Sequence, residues 1–269
     1  MNRPLVTTTS LRAMKREGRA ITMLTCYDAT FARLFARGGV DILLVGDSLG
    51  MAIQGHESTL PVTVDDVVYH TRAVVRGRGP GGPHVVADMP FMSYQVSAED
   101  ALRNAGRLMQ EAGAESVKLE GGVEMARTVE RLVAVGIPVM GHIGLTPQSV
   151  HQLGGFKVQG KTEASADRLI RDAVALQNAG AYAIVIETVP AAVGRRVAEA
   201  VEIPTIGIGA GSGTDGQVLV GYDMLGLNPD FKPKFVKRFR NFGLETLAAV
   251  EQFGAEVRSR AYPDSDHGY

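Results

Sequence analysis

Apolar residues in this chain come in short unbroken runs, and each run follows a helix-like stretch that closes on glycine. The clearest instances are "ARGGVDILLVGD", "EAGAESVKLEG", "AVGIPVMGHIG" and "NAGAYAIVIET". Glycine suits the left-handed cap that ends a helix, and an unbroken apolar run suits a strand covered on both faces. Six to eight residues beyond Gly39, Gly113, Gly136 and Gly180, each unit ends on a chemically capable side chain: Asp47, Glu120, His142 and Glu187. "ITMLTCYD" with Asp28 at its end, "HVVADMP" with Asp88, and "IPTIGIGAG" read as further strands. "QVLVGYDMLGL", which contains Asp223, reads as a last one.

About eight such strands in a chain close to roughly 250 residues predict a single α/β domain, a (β/α)8 TIM barrel. The segment before about residue 20 and a C-terminal helix and tail over about 244–269 are additions to it. Thr63 to Asp66 ("TVDD") and Ser97 to Asp100 ("SAED") carry the capping-box pattern ahead of helix-like stretches. "RGRGPGGP" (Arg76 to Pro83) reads as a loop of breakers. "KPKFVKRFR" (Lys232 to Arg240) reads as a solvated helix whose phenylalanines are buried.

Charge and cysteine content narrow the function classes. The balance of 28 basic against 29 acidic residues gives no bulk attraction to nucleic acid or membrane. The single cysteine, Cys26, cannot pair internally, which fits a reducing cytosol. The chain has no apolar run of transmembrane length and no signal-peptide-like start. The expectation is a cytoplasmic protein with small-molecule ligands.

In a barrel of this kind the site lies at the C-terminal ends of the strands, so Asp47, Asp88, Glu120, His142 and Glu187 would meet at one mouth. A strand-end aspartate taken singly is more often a helix cap or turn former. Two carboxylates at one mouth, however, repel unless a proton, a lysine or a cation intervenes. A hard divalent ion answers that, with Mg2+ as the default and other divalent ions left open. Lys118 and Glu120 alternate onto the same strand face, either as a structural ion pair or with Lys118 holding a substrate carboxylate. His142, between glycines, suits a hydrogen bond to a substrate oxygen better than a place among oxygen donors. Glu187 suits a general base, with helix capping as its plainer alternative. "GSGTDG" (Gly211 to Gly216) fits the dinucleotide pattern but lacks the acidic partner about 20 residues on, and is discounted.

Taken together, "TCYD", "LVGDSLGM", "QGHESTLPVT", "YHTRAV", "ADMPF", "VKLEGG", "GHIGLTPQS", "GGFKVQG" and "GIGAGSGTDGQ" resemble the ketopantoate (3-methyl-2-oxobutanoate) hydroxymethyltransferase family. The matches run in order from about Thr25 to Gln217, and "PKF" at Pro233 and the terminal "YPDSDH" also resemble it. The resemblance implies hydroxymethyl transfer from 5,10-methylenetetrahydrofolate to 3-methyl-2-oxobutanoate, giving 2-dehydropantoate, through a metal-stabilised enolate. It implies Asp47 and Asp88 as Mg2+ ligands, with Glu120 on the ion or its water. Ser48 and Lys118 would hold the 2-oxoacid, His142 would contact substrate or product, and Glu187 would be the base. It also implies a homo-oligomer, a decamer. The competing readings are a 2-oxoacid carbon–carbon lyase of the isocitrate-lyase type, which needs no folate, and a catalytically silent barrel.

Overall fold

A computed structural model describes residues 4–269. The first three residues of the expected N-terminal addition lie outside them. Two compact units divide the chain, one running to Leu219 and the other spanning Val220–Tyr269.

The first unit is a closed barrel of eight parallel strands in sequence order, β1 pairing with β8. The strands are β1 (Ile21–Thr25), β2 (Ile42–Val45), β3 (His84–Asp88) and β4 (Ser116–Glu120), then β5 (Val139–Gly144), β6 (Ala183–Glu187), β7 (Thr205–Ile208) and β8 (Gly216–Leu219). Helix α1 (Thr8–Arg16) precedes them. Between strands run α2 (Ala29–Arg37), the short α3 (Leu49–Ala52), α4 (Val64–Arg78), α5 (Ala98–Gln110), α6 (Ala126–Val133), α7 (Glu163–Asn178) and α8 (Ala191–Ala200).

The glycines ending the helix-like stretches do what their pattern predicts. Gly39, Gly113, Gly136 and Gly180 all take positive φ, between 80° and 97°. Thr63 and Asp66 form the full capping box of α4, whereas Ser97 accepts only the Asp100 N–H at the start of α5. The breaker loop is shorter than its composition suggested, because α4 continues to Arg78 before Gly79 turns the chain.

Side chains from alternate strand positions fill the barrel. Ile21, Met23, Ile42, Leu44, Val86, Met140, Val185, Ile206 and Val218 form one buried cluster with Leu11 and Met14 of α1, so the N-terminal segment belongs to the core. Lys15 secures that helix by donating to the carbonyls of Ala198, Val201 and Ile203 and pairing with Asp215 at 3.0 Å. Where strands begin, carboxylates set the register. Asp41 Oδ2 accepts from Thr22 N and Oγ1, and Asp215 Oδ2 accepts from Thr205 N and Oγ1 in the same arrangement.

The second unit holds α9 (Gly221–Leu225) and α10 (Phe242–Ser259). Two expectations change here. Strand β8 stops at Leu219, and Asp223 sits on α9, where burial lifts its carboxyl to about 6 against the opposing pull of Arg238. Lys232 to Arg240 is irregular rather than helical. Its Pro233 disfavours helical backbone at Lys232, and Arg238 instead donates to the carbonyls of Asn228, Pro229 and Phe231.

Candidate active site

Six of the seven residues singled out from the sequence form a connected chain of contacts at the C-terminal ends of β2 to β6, Asp47 joining it through its backbone N–H. Asp88, the last residue of β3, accepts the Asp47 N–H on Oδ2 at 3.0 Å and lies 2.7 Å from Lys118 Nζ through Oδ1. Lys118 Nζ is 3.2 Å from His142 Nδ1, which is itself 3.4 Å from Glu120 Oε1. The other ring nitrogen, Nε2, stands 3.1 Å from Glu187 Oε2. Asp47, Asp88, Lys118, Glu120 and His142 are all buried. Ser48, the seventh, meets the hydroxyl of Tyr27 at 2.8 Å.

Helix capping, the plain alternative, fails for Ser48 and Glu187, while Lys118 does form a buried ion pair, with Asp88. Ser48 precedes α3 without a side-chain cap bond, and α8 has Pro190 at its N-cap with no side-chain cap, so Glu187 is not a capping group. Asp28 is the contrasting case. Its Oδ1 accepts from Thr30 N and Phe31 N and it caps α2 in the ordinary way. Small residues allow the crowding. A Cβ at Gly46 would stand 2.8 Å from Ser48 Oγ and 3.3 Å from Asp88 Oδ2, and one at Gly144 would run into the Glu187 carbonyl. Thr188, directly after Glu187, holds φ at +50°. That conformation is strained for a β-branched residue by about 1–2 kcal/mol, and strain of this kind collects at functional sites.

Electrostatics follow from burial and from an excess of carboxylates. Burial drives Asp47 well above the ordinary carboxylate range, and Asp88 and Glu120 push it further, while Lys118 and the Gln148 amide pull only partly back. Burial also raises Asp88, and its ion pair with Lys118 does not cancel this. Burial alone would discharge Lys118, but Asp88, Glu120 and Asp47 keep it firmly protonated. His142 is opposed by burial and by Lys118, yet its bonds to Glu120 and Glu187 lift it to about 9. The Lys118 contact is a hydrogen bond only to a neutral ring. With two carboxylates on the imidazole, the charged form is the one favoured.

Uncharged partners at this mouth escaped the sequence reading. Gln148, Tyr94 and Tyr27 carry no charge and no tell-tale spacing, although Tyr27 and Gln148 lie in the quoted stretches "TCYD" and "GHIGLTPQS". Beside the cluster is a cavity of about 540 Å3 whose lining includes Tyr94, Gln95, Glu120, Gln148, Arg168 and Asp172.

Among the described residues no three His, Cys, Asp or Glu side chains form a ready-made metal cage. Asp88 Oδ2 accepts the Asp47 N–H and Glu120 Oε2 accepts the Gln148 N–H. The donor set nevertheless fits a hard divalent ion held by one or two carboxylates and otherwise by water and substrate. Asp88 Oδ1 is buried with no aligned hydrogen bond, and negative charge is in excess around Asp47.

Residues 5–265 match the family model described as ketopantoate hydroxymethyltransferase. The chain belongs to that family. It is 56% identical over 264 residues to the 3-methyl-2-oxobutanoate hydroxymethyltransferase of Syntrophus aciditrophicus, covering 98% of this chain and 96% of that one. The enzyme of the same name from Moorella thermoacetica is 53% identical, with 99% and 98% covered. Membership of the hydroxymethyltransferase family makes the chain an enzyme, a one-carbon transferase. Solved structures share the barrel at much lower identity. Phosphonopyruvate hydrolase superposes with a TM-score of 0.65 at 14% identity, over 97% of this chain and 90% of that one. A 2,3-dimethylmalate lyase of the PEP mutase/isocitrate lyase superfamily gives 0.55 at 17%, over 96% and 100%. These neighbours establish the fold alone, and the lyase alternative gains nothing more from them.

Proposed function

We propose that this chain transfers the one-carbon unit of 5,10-methylenetetrahydrofolate to 3-methyl-2-oxobutanoate, giving 2-dehydropantoate on the way to pantothenate and coenzyme A. The observation that carries the reading is the line of contacts from Asp47 and Asp88 through Lys118 and His142 to Glu187 at one barrel mouth. Family membership supplies the reaction class, and this geometry supplies the parts that enolisation needs.

Asp47 and Asp88 would hold a divalent ion, Mg2+ by default, with Glu120 reaching it through water. Such an ion supplies positive charge to the keto and carboxylate oxygens of a 2-oxoacid as negative charge develops on them. Lys118 adds a fixed cation for the substrate carboxylate, and Ser48 adds a hydroxyl. Glu187 removes the C3 proton, and His142, whose Nε2 stands 3.1 Å from Glu187 without an aligned hydrogen bond, steadies that carboxylate by its charge and leaves Nε2 as a donor for the substrate oxygen. The methylene carbon is held by two folate nitrogens. Both C–N bonds break as the C3 carbanion forms the new C–C bond and water supplies the hydroxyl, and the proton taken by Glu187 together with one from water returns to the two nitrogens. With less than a fifth of its side chain exposed, Glu187 faces the mouth more openly than Asp88 or Lys118.

The same family reading proposes a cytoplasmic homo-oligomer, a decamer. Leu244, Leu247, Val250, Phe253 and Val257 stand exposed along α10, which favours burial against another copy. Light scattering of the purified protein would give the mass.

The deciding experiment follows 3-methyl-2-oxobutanoate by proton NMR in D2O with Mg2+, with and without the folate. Loss of the C3 proton without folate, and 2-dehydropantoate with it, is the expected result. Exchange without product favours an enolising lyase. Neither event from folded, metal-loaded protein overturns the reading.

A further inference from the structure

We propose that Gln148 is the positioning residue of this mouth, fixing Asp47 and Glu120 relative to one another so that Asp47 would have one oxygen free to hold a divalent ion. The proposal rests on the metal-assisted reading above.

Gln148 lies in the 3-10 turn Pro147–Ser149 that follows β5, and is 6% exposed. Its backbone N–H donates to Glu120 Oε2 at 3.0 Å. Its side-chain nitrogen donates to Asp47 Oδ2 at 2.9 Å and to the Met89 carbonyl at 3.0 Å. Its side-chain oxygen accepts from the Tyr94 hydroxyl at 2.7 Å and from Gln95 Nε2 at 3.1 Å. Both donors and both acceptor sites of the amide are therefore used. The orientation is forced as well, because the flipped amide would set its oxygen against a carboxylate and a carbonyl.

The three elements joined are otherwise far apart in the chain. Asp47 follows β2, Glu120 ends β4 and Gln148 follows β5. One residue thus ties two carboxylates that repel each other, and it does so from a turn rather than a mobile loop tip. With Oδ2 taken by Gln148, Asp47 Oδ1 has no hydrogen bond among the described residues. That oxygen is left for a ligand. Tyr94 braces the arrangement from behind, its hydroxyl accepting the Glu120 N–H at 3.0 Å while donating to Gln148. Gln148 itself acts through Asp47, and removal of such an outer partner typically lowers metal affinity about 10- to 100-fold.

The test titrates the full-length protein, without substrate, with Mn2+ as the probe, and reads free Mn2+ by electron paramagnetic resonance alongside a melting curve. Wild type should bind. Gln148→Leu, which keeps the volume and removes the donors, should bind about 10- to 100-fold more weakly while remaining folded. Tyr94→Phe should weaken binding in the same direction by less. Gln152→Leu, four residues on and exposed, should leave affinity unchanged. Wild-type affinity in Gln148→Leu overturns the proposal, as does an equal loss in Gln152→Leu. Should Gln148→Leu fail to fold, unchanged affinity in Tyr94→Phe overturns it. A wild type that binds no Mn2+ overturns the metal reading, and the proposal with it, before any variant is made.

Discussion

Histidine is buried at both ends of this barrel, and the two rings are pushed in opposite directions. His84 opens β3 at the N-terminal end of the strands. Its Nε2 meets Ser116 Oγ at 2.8 Å, and that hydroxyl continues to Tyr182 OH at 2.9 Å. Burial holds its pKa below the usual 6.5. The neighbouring Glu115 cannot reverse this, since it is tied to Arg78 at 2.7 Å and to the Val85 N–H at 2.8 Å. At the other end His142 is equally buried but faces two carboxylates, and rises to about 9.

The same contrast holds for the acids. At the N-terminal end Asp41, Asp215 and Glu115 each accept a strand N–H and are satisfied by side-chain donors or cations as well. At the mouth Asp47, Asp88 and Glu120 share Lys118 as their lysine partner, and burial together with mutual repulsion raises Asp47. At the N-terminal end the three carboxylates are matched, which is a stabilising design. The other end retains carboxylates in excess of their cations, which is unfavourable to the fold. That division agrees with the general assignment of the N-terminal barrel face to stability and the C-terminal face to chemistry.

Substitutions at the two ends should therefore separate activity from stability. The largest effect belongs to Glu187→Gln, which removes the proposed base. Turnover should fall by roughly 10²- to 10⁴-fold with ketoacid affinity retained, and steady-state kinetics beside calorimetric binding would show whether KM stays put. Asp47→Ala should instead weaken Mg2+ and ketoacid binding together. Equal loss of metal affinity in both variants would contradict the division of labour between base and ligand. At the opposite end, Asp215→Ala should lower stability by about 1–3 kcal/mol, because the buried Thr205 N and Oγ1 lose their acceptor at the start of β7 and Lys15 loses its partner. Its kcat should match wild type where the protein is folded, and a urea melt paired with an activity assay reads both. A kinetic defect without a stability defect would place function at the wrong end.

The smallest effect is in the pH dependence of metal-free protein. A ring held below 6.5 makes the unfolded state bind more protons, so the His84 contribution is present above 6.5 and is lost as pH falls below it. A ring raised to about 9 has the reverse sign. The His142 contribution is complete below 6.5 and is lost as pH rises from there through about 9. Stability should consequently peak near neutrality. His84→Gln should flatten the acid limb of the urea midpoint against pH, and His142→Gln the alkaline limb. Matching slopes in both variants would remove the contrast.

Much of this was readable from the linear chain because the relevant signals are local. Glycines at 39, 113, 136 and 180 report helix ends through backbone sterics alone, and an unbroken apolar run reports a strand covered on both faces. Charged residues that end such runs stand out from their surroundings, which is how Asp47, Asp88, Lys118, Glu120, His142 and Glu187 came into view. Neutral residues do not, so Gln148, Tyr94 and Tyr27 stay hidden in the sequence although Gln148 hydrogen-bonds both Asp47 and Glu120. The basic stretch at Lys232 was misread as helix because its phenylalanine spacing is local while the carbonyls that capture Arg238 are not.

Asp28 and Asp47 mark the boundary between the two kinds of information. Both follow an apolar strand and precede a helix, and nothing local distinguishes them. The chain alone determined the barrel, its helix ends and the set of charged strand tips, since these follow from propensity, burial pattern and backbone sterics. Local backbone geometry lets Asp28 cap its own helix, and only the closed sheet decided that Asp47 would instead meet Asp88 and Gln148. Hydrogen-bond partners within three residues are dictated by backbone geometry. Partners 41 and 101 residues away exist only once the strands have closed and brought their ends together.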